Sequence, residues 1–233
     1  MLLVGFPAAA FATNCYVAAT APGEDCLVVD PGIGVLDQLA EVLQEHRLRP
    51  AAVLATHGHV DHVYSVTPVC DAHGVAAYLH TDDQYRLRDP IAELDPAMVA
   101  MFEQEFGSSA RWREPDDVRP LADGEQLEVA GLSVGIVHAP GHTEGSVMFR
   151  LPEVPDGVTG AASTVLSGDV LFAGSIGRTD LPGGDTEEMW RSLRDRVLTL
   201  PDDVLVLPGH GPLTTIGRER RSNPYLLELQ DTA

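Results

Sequence analysis

The chain has 233 residues, enough for one large domain or two small ones, and 44% of them are hydrophobic, which supplies a substantial core. Its 15 basic and 35 acidic residues give a formal net charge of −20, a field that repels nucleic acid and anionic membrane surfaces. All 15 basic residues are arginines, so mechanisms that need a lysine Schiff base or a P-loop lysine are excluded. We therefore expect neither nucleic acid nor a membrane as a partner.

The three cysteines, Cys15, Cys26 and Cys70, are odd in number and widely spaced, and no two of them form a CxxC pair. We interpret them as reduced, buried apolar residues, which favours a cytoplasmic location. A secretion signal is not expected, because the first basic residue is Arg47, and no apolar run is long enough to span a membrane.

Short apolar runs between turn residues predict strands at MLLVGF, NCYVAA, CLVVDPG, AAVLAT, LSVGIVHAPGH, GSVMFRL, TVLSGD and VLVLPGH. Helical periodicity predicts a helix over VLDQLAEVLQEHRL, one over HVYSVTPVCDAHG closed by Gly74, and one over DTEEMWRSLRDRVLTL with Thr186 as its N-cap. Residues 91–112 are predicted to form a helical surface insertion, and residues 151–163 a loop. The pattern predicts one layered α/β domain over residues 1–233, with both sheets covered.

Polar residues follow four of the predicted strands, each at the point where the strand ends. AAVLAT runs into HGHVDH, LSVGIVHAPG into His142, TVLSG into Asp169 and VLVLPG into His210. Side chains at the ends of neighbouring strands converge on one edge of a sheet, where functional groups of α/β proteins collect. Glycines precede four of these candidates and allow positive φ angles and close backbone approach; they are Gly58, Gly141, Gly168 and Gly209.

The residue types predict a metal site. Imidazole and carboxylate suit zinc, iron or manganese, and no cysteine is placed to join them. The candidates number seven, too many for one tetrahedral ion but suited to two ions about 3.5–4 Å apart. They are His57, His59, Asp61, His62, His142, Asp169 and His210. A solvated polar loop is the alternative for HGHVDH, and the three further clusters disfavour it. Ordinary surface or core roles are expected for His46, His73, His80 and His138.

Taken together, NCYVAA, VVDPG, THGHVDH, APGHTEGS, LSGDVLFAGSIGRTDLPGGD and VLPGHGPLTT resemble the metallo-β-lactamase-fold hydrolases over nearly the whole chain. The resemblance implies an αββα sandwich with two metal ions at one edge between its sheets. It implies a first ion held by His57, His59 and His142, a second held by Asp61, His62 and His210, and Asp169 as the bridge between them. Asp30 of VVDPG would hydrogen-bond a ligand imidazole from behind, with an ordinary turn residue as the alternative.

Within that family, GSIGRTD and PGHG are most similar to the glyoxalase II-like branch, the thioester hydrolases of the hydroxyacylglutathione type. This resemblance implies hydrolysis of an S-(2-hydroxyacyl) thiol, such as S-lactoylglutathione or an analogous conjugate, by a metal-bridging hydroxide. Asp169 and Asp61 would be the catalytic carboxylates, with Asp61 aiming the hydroxide. Zinc is the expected metal, with iron and manganese as alternatives.

Two other branches and one departure stay open. The mononuclear iron persulfide dioxygenases share GRTD and an ER…NP ending but typically lack PGHG; zinc β-lactamases often carry cysteine where Asp169 stands, which disfavours them. Glyoxalase II enzymes have a Lys-x-Tyr clamp where this chain has Arg178, Thr179 and Asp180. Arg178 is the candidate for binding a substrate carboxylate, or it forms only a structural pair with Asp180. The thiol carrier, the acyl group and the oligomeric state stay open.

Overall fold

Two six-stranded sheets form the centre of a computed structural model of the protein, which describes residues 1–91, 94, 96–106 and 113–231. The first sheet contains, in spatial order, β1 (Leu2–Pro7), β2 (Asn14–Ala19), β3 (Asp25–Val29), β4 (Arg49–Leu54), β5 (Ala77–His80) and β6 (Val118–Leu121). The second contains β7 (Gln126–Val129), β8 (Leu132–His138), β9 (Val147–Leu151), β10 (Ser163–Gly168) and, after a separate hairpin of β11 (Leu171–Phe172) and β12 (Ser175–Ile176), β13 (Val204–Pro208) and β14 (Thr214–Thr215).

Most of the helices lie in the connections between these strands, and the last two follow β14. They are α1 (Leu36–His46), α2 (Val60–Val63), α3 (Val66–His73), α4 (Pro96–Phe106), α5 (Thr186–Ser192), α6 (Ile216–Ser222) and α7 (Pro224–Asp231), with a 3₁₀ segment at Thr81–Arg88 and a π-helical turn at Leu193–Val197. The predicted loop between the GSVMFRL and TVLSGD strands lies between β9 and β10, as expected.

Alternate residues of each strand face opposite sides of its sheet, and this alternation builds the layers. In β2, Cys15 belongs to the apolar core shared with α1 and α3, whereas Tyr16 belongs to the core between the two sheets. In β10, Val165 packs towards α5, α6 and α7, while Leu166 packs between the sheets. Helices therefore cover the outer face of each sheet, and the predicted four-layer αββα sandwich of the α/β class is confirmed.

Two local predictions differ from the structure. The helix predicted over HVYSVTPVCDAHG is interrupted between α2 and α3, because Pro68 lacks an N–H and its ring crowds the carbonyl of Tyr64. Gly74 does close α3, with a φ of 67°. Helix α5 is capped by Asp185 instead of Thr186: Asp185 has extended dihedrals, and its carboxylate accepts a hydrogen bond from the backbone N–H of Glu188 at 3.0 Å.

The stretch 91–112 contains α4, whose residue Met98 packs with Leu94 against the buried cluster of Ile33 and Val60. Residues 92, 93, 95 and 107–112 lie outside the described residues, so the surface insertion and the single domain over 1–233 stay predictions. All three cysteines are free and buried, as expected. Within the described part of the chain, no helix combines the length and the apolar character that crossing a bilayer requires.

Phe149, 1% exposed, is among the largest side chains buried between the sheets, so its truncation tests the layer arrangement. We expect Phe149→Ala to lower the free energy of unfolding by about 3–5 kcal/mol through lost burial and a residual cavity. Urea denaturation of the metal-free protein measures this. The exposed Leu227 of α7 gives the control, because Leu227→Ala should stay within about 0.5 kcal/mol of the parent. Equal losses for both variants would contradict the assignment.

Candidate metal centre

The topology brings four polar loops to one edge of the sandwich. Strands β8 and β10 are each antiparallel to β9 and therefore run parallel to each other, and β13 is parallel to β10. Their carboxyl ends, which lead to His142, Asp169 and His210, lie at the same edge. The loop after β4 joins them from the other sheet through a 2.9 Å hydrogen bond from the backbone N–H of Val147 to the carbonyl of Thr56. The predicted strand ends therefore meet.

A β-bulge aims Asp169 into this edge. Leu166 pairs with Leu207, but the next pair is Gly168 with Pro208, so Ser167 is an extra residue in β10. Gly168 has a φ of 48°, and a Cβ there would lie 2.5 Å from the Thr56 hydroxyl, so both conformation and space favour glycine. Bulges of this kind bend a strand and re-aim the side chain that follows.

The first predicted triad is assembled in the structure. The nitrogens His57 Nε2, His59 Nδ1 and His142 Nε2 form a triangle with sides of 2.8, 3.1 and 3.2 Å. Two ligand atoms on a tetrahedral zinc ion lie about 3.3–3.4 Å apart when the metal–nitrogen bonds are 2.0–2.1 Å. Burial lowers the pKa of all three rings, to about 3 for His59, so they stay neutral, the form that binds metal.

The second predicted triad lies beside the first. Asp61 Oδ2 is 3.5 Å from His62 Nε2 and 3.2 Å from His210 Nε2. Asp169 touches both triads: its Oδ1 is 3.3 Å from His62 Nε2, and its Oδ2 is 3.5 Å from His142 Nε2 and from His210 Nε2. The structure thus brings all seven candidates together, with the carboxylate of Asp169 between the two triads.

The second triad attracts positive charge. Burial disfavours a charged His62, but Asp61, Asp169 and Asp30 outweigh it and raise the pKa of His62 well above its usual range. Burial also opposes ionisation of Asp61 and Asp169, yet His62 and His210 hold the pKa of both carboxyls below the ordinary value. Paired carboxylates facing a buried imidazole favour a cation at this position, whether a proton or a metal ion.

Buried polar atoms without partners support a metal. Among the described residues, His59 Nε2, His62 Nε2 and Asp169 Oδ1 are buried and have no hydrogen-bond partner. Such atoms are costly unless something compensates them, and a cation compensates His62 Nε2 and Asp169 Oδ1 together. Gly209 keeps this space clear, because a Cβ there would lie 2.1 Å from Asp169 Oδ1. The donor set fits a pair of metal ions.

Three of the five ligand rings are also held from behind. His62 Nδ1 is 3.0 Å from Asp30 Oδ2, as expected from the sequence, and Asp30 also accepts hydrogen bonds from the backbone N–H and hydroxyl of Thr56. His142 Nδ1 donates to the backbone carbonyl of Arg178 at 2.7 Å, and His57 Nδ1 lies 3.1 Å from the Thr56 hydroxyl. Partners of this kind fix ring orientation and tautomer.

The sequence did not predict two contacts that position the ligands, one made by Thr13 and one by Arg178. The Thr13 hydroxyl donates to Asp61 Oδ2 at 2.7 Å across 48 residues, and nothing local to Thr13 indicates it. The contact of Arg178 with His142 is made by its backbone carbonyl, which any residue type supplies. The contact of Thr56 with His57 could have been suspected from the sequence, because Thr56 directly precedes His57 in THGHVDH.

A cavity of about 370 Å³ opens onto the metal donors. Its apolar wall is formed by Phe11, Val60, Leu94, Met98 and Leu181. Phe11 and Ala12 have φ angles of 59° and 53°, in the left-handed region that residues other than glycine rarely adopt. Backbone strain of this kind often occurs at functional sites. Arg178 lines the cavity with an exposed guanidinium, and Asp180 binds it through two 2.7 Å hydrogen bonds.

One further cluster falls outside the predicted set. Candidate ligand atoms lie within 4.8 Å of one another in His80, Asp82 and His138, although ordinary roles were expected for both histidines. The two rings are stacked, with centroids 4.0 Å apart and an angle of 11° between their planes. Lone pairs in parallel planes do not converge on one ion, so the ordinary interpretation is retained.

A four-layer sandwich with a histidine and aspartate donor set between its sheets is an architecture of metal-dependent hydrolases. The sequence profile of the Metallo-beta-lactamase superfamily matches residues 8–210. The chain belongs to this superfamily, whose members are metallohydrolases.

Individual relatives cover nearly the whole chain. A protein of Mycobacterium tuberculosis described as uncharacterized is 47% identical over 227 residues, which is 97% of this chain and 98% of that protein. The hydroxyacylglutathione hydrolase GloC of Haemophilus influenzae is 34% identical over 220 residues, or 94% and 95% of the two chains. The probable metallo-hydrolase YqgX of Bacillus subtilis is 36% identical over 204 residues, or 87% and 88%.

Solved structures agree with the fold. TTHA1623, crystallised in a di-iron-bound form, is 37% identical with a TM-score of 0.76, covering 96% of this chain and all of its own. The B3 metallo-beta-lactamase BLEG-1 is 33% identical with a TM-score of 0.76, covering 97% and 99%. ETHE1 from Myxococcus xanthus is 20% identical with a TM-score of 0.73, covering 100% and 91%, which shows the shared fold alone.

Asp30 lies behind His62 without reaching the cavity, so its role can be tested through metal affinity. We expect Asp30→Asn to weaken Zn²⁺ binding about 10–100-fold, because the His62 ring loses the carboxylate that orients it and raises its basicity. Competition of the purified protein with a chromophoric chelator measures the affinity. Asp25→Asn, which changes an exposed carboxylate of β3 bonded to Arg49, is the matched control. Equal affinity in Asp30→Asn and the parent would rule out this role.

Proposed function

We propose that this protein is a binuclear metal-dependent hydrolase of thioesters, acting on an S-(2-hydroxyacyl) thiol such as S-lactoylglutathione or an analogous conjugate. We further propose that the seven donors hold two divalent ions, zinc or alternatively iron or manganese. The first would take His57, His59 and His142, the second Asp61, His62 and His210, with Asp169 as the bridge. Three free buried cysteines agree with the proposed cytoplasmic location.

The leaving group that the cavity can release favours a thioester as the substrate. The titratable side chains among the described residues lining the cavity are the donors His59, Asp61, His142, Asp169 and His210, together with Arg178. Among the described lining residues, no histidine or carboxyl group outside the donor set is available to protonate a departing amine or alkoxide. A thiolate leaves without such help, because its conjugate acid has a pKa of about 8.5. This observation carries the proposal.

The nucleophile is proposed to come from water. No serine or cysteine is among the described residues that line the cavity. Two bound divalent ions would supply Lewis acidity towards the thioester carbonyl and lower the pKa of a water molecule towards neutrality. The protein's own residues orient the donors. The Thr13 hydroxyl donates a 2.7 Å hydrogen bond to Asp61 Oδ2, which keeps this carboxylate oxygen directed at His210.

The cavity wall supports a substrate with an apolar segment next to the thioester. Phe11 and Leu181 come from different loops, and Val60 and Met98 complete an apolar lining beside the donors. This lining excludes water from the reacting bond, which strengthens electrostatic interactions there. Arg178 is proposed to bind a substrate carboxylate, for which Asp180 holds the guanidinium in a fixed orientation.

The relatives support the class of reaction. The Haemophilus influenzae relative is named a hydroxyacylglutathione hydrolase. An assay must separate two alternatives. One is a β-lactamase, because BLEG-1 is named a B3 metallo-beta-lactamase. The other is the mononuclear iron persulfide dioxygenase that the GRTD motif leaves open. The two complete triads favour a two-ion hydrolase over the one-iron alternative.

Metal content and substrate turnover, measured on one preparation, test the proposal. We expect two divalent ions per chain and turnover of an S-lactoyl thiol, followed by release of free thiol. Asp169→Asn should lower kcat/KM for that substrate by about a hundredfold or more, because the loss of a bridging ligand should exceed the roughly 10–100-fold loss seen when a residue behind a ligand is changed. Asp156→Asn, at an exposed carboxylate, is the control for lost charge.

Three outcomes would contradict this assignment. Oxygen consumption with a glutathione persulfide and one iron per chain would select the dioxygenase. Opening of a chromogenic cephalosporin at a rate above that of every thioester would select a β-lactamase. Full thioesterase activity in Asp169→Asn would show that the reaction does not need the proposed bridging carboxylate.

Arg178 can be tested through the split between KM and kcat. We expect Arg178→Ala to raise KM for a thioester bearing a carboxylate, with little change in kcat, because uniform binding of substrate and transition state is lost. A neutral thioester should show no such change. Arg191→Ala is the matched control, since Arg191 pairs with Glu188 on the exposed face of α5 in a similar ion pair. A fall in kcat alone would assign Arg178 to another role.

A further inference from the structure

Asp83, in the 3₁₀ segment after β5, is a fully buried carboxylate outside the predicted donor set. It accepts three hydrogen bonds of 2.7 to 2.8 Å, from the backbone N–H of Gly58, the hydroxyl of Thr143 and the backbone N–H of Gly145. All three donors belong to the loops that carry the first triad. None of these contacts belongs to a regular helix or strand.

One oxygen of Asp83 joins the two ligand loops directly. Gly58 stands between the ligands His57 and His59, and its N–H reaches Asp83 Oδ2 at 2.7 Å. Thr143 follows the ligand His142, and its hydroxyl reaches the same Oδ2 at 2.7 Å. The loops come from different sheets, so this shared oxygen sets the distance between the two parts of the triad.

The packing around Asp83 leaves little freedom. A Cβ on Gly145 would lie 2.7 Å from the Asp83 side chain, and a Cβ on Gly58 would lie 2.7 Å from the Cδ of Arg86. Arg86 Nε is 3.6 Å from Asp83 Oδ1, which compensates part of the buried charge. Both loops therefore rest directly on this pair through glycines, and a shift of Asp83 is transmitted to them.

We propose that Asp83 is a positioning residue that sets the affinity of the first metal site, formed by His57, His59 and His142. A carboxylate is required because it only accepts hydrogen bonds, whereas an amide at this position turns N–H donors towards an N–H or O–H group. The inference rests on the metal centre of the proposed function and is independent of the substrate.

The test isolates each metal site in turn. In a His210→Ala background the second site is broken, and Asp83→Asn should weaken Co²⁺ or Zn²⁺ binding at the remaining site about 10–100-fold, as for other residues that orient ligands. In a His59→Ala background the first site is broken, and Asp83→Asn should leave the remaining affinity unchanged. Chelator competition and the visible Co²⁺ spectrum measure both.

Two controls separate this role from general stability. Asp82→Asn makes the same charge change at the neighbouring, half-exposed position. Glu219→Gln alters another buried carboxylate with three hydrogen-bond donors, Gly174, Thr214 and Asn223, and should lower thermal stability without changing affinity at the first site. Circular dichroism verifies folding of each metal-free variant. If Asp83→Asn does not fold, Thr143→Val removes one of the three bonds to Asp83, together with the 2.8 Å contact between the Thr143 and Ser146 hydroxyls, and a smaller weakening confined to the first site is expected.

The outcomes are distinct. A parent protein that binds no Co²⁺ or Zn²⁺ overturns the proposed metal centre and, with it, this inference. A parent that binds two ions while Asp83→Asn has the parental affinity in both backgrounds overturns the inference alone. Equal weakening in both backgrounds, or an equal effect of Glu219→Gln, assigns Asp83 to general stability and also overturns it.

Discussion

Lone pairs that point at one another are the constraint on which the rest of this structure depends. Three imidazole nitrogens lie 2.8 to 3.2 Å apart, and two carboxylates face a buried histidine beside them. Such a cluster does not hold itself together, because its imidazole and carboxylate lone pairs repel one another unless a cation, either a proton or a metal ion, lies between them. The fold must supply the free energy that keeps them in place, and it does so through layers of apolar core on both sides of two sheets.

The division of tasks follows from that constraint. The ends of the strands bring the donors to one edge of the sandwich. Sheet topology and apolar burial along the chain determine this placement. Fine placement is left to hydrogen bonds that Asp30 and Asp83 accept and that Thr13 donates, and none of these three residues is among the described residues that line the cavity. The cavity wall, by contrast, comes from the loop around Phe11 and from the segment that includes α4. Most of the apolar wall thus lies outside the segments that carry the donors, with Val60 of HGHVDH as an exception.

How much could be predicted from the sequence depends on whether the signal is local. The ligand spacing of HGHVDH, the glycines before His142 and Asp169, and the strand periodicity are local, so a layered α/β domain and the convergence of the seven donors were within reach. The αββα order of the layers was implied by the resemblance to the metallo-β-lactamase-fold hydrolases. The break between α2 and α3 was partly visible in Pro68. The cap by Asp185 was missed because adjacent Asp and Thr residues compete for the same position.

Contacts that join distant segments carry no local signal. Asp83 bonds Gly58 across 25 residues and Gly145 across 62, and the sequence HTDDQY gives no sign that one aspartate is buried while its neighbour is exposed. Arg178 shows the opposite difficulty: its side chain drew attention, whereas the contact with a ligand imidazole is made by its carbonyl oxygen. Backbone atoms are invisible to residue-type reasoning.

The extra residue in β10 limits how this site can diverge. Because Ser167 has no pairing partner in β13, the direction of Asp169 depends on the number of residues in the strand as well as on their types. Removing one residue restores regular pairing but turns the aspartate to the opposite face. Sequence drift near this position is thus confined to replacement, while gaps and additions are free to accumulate in the long loop between β9 and β10, far from the donors.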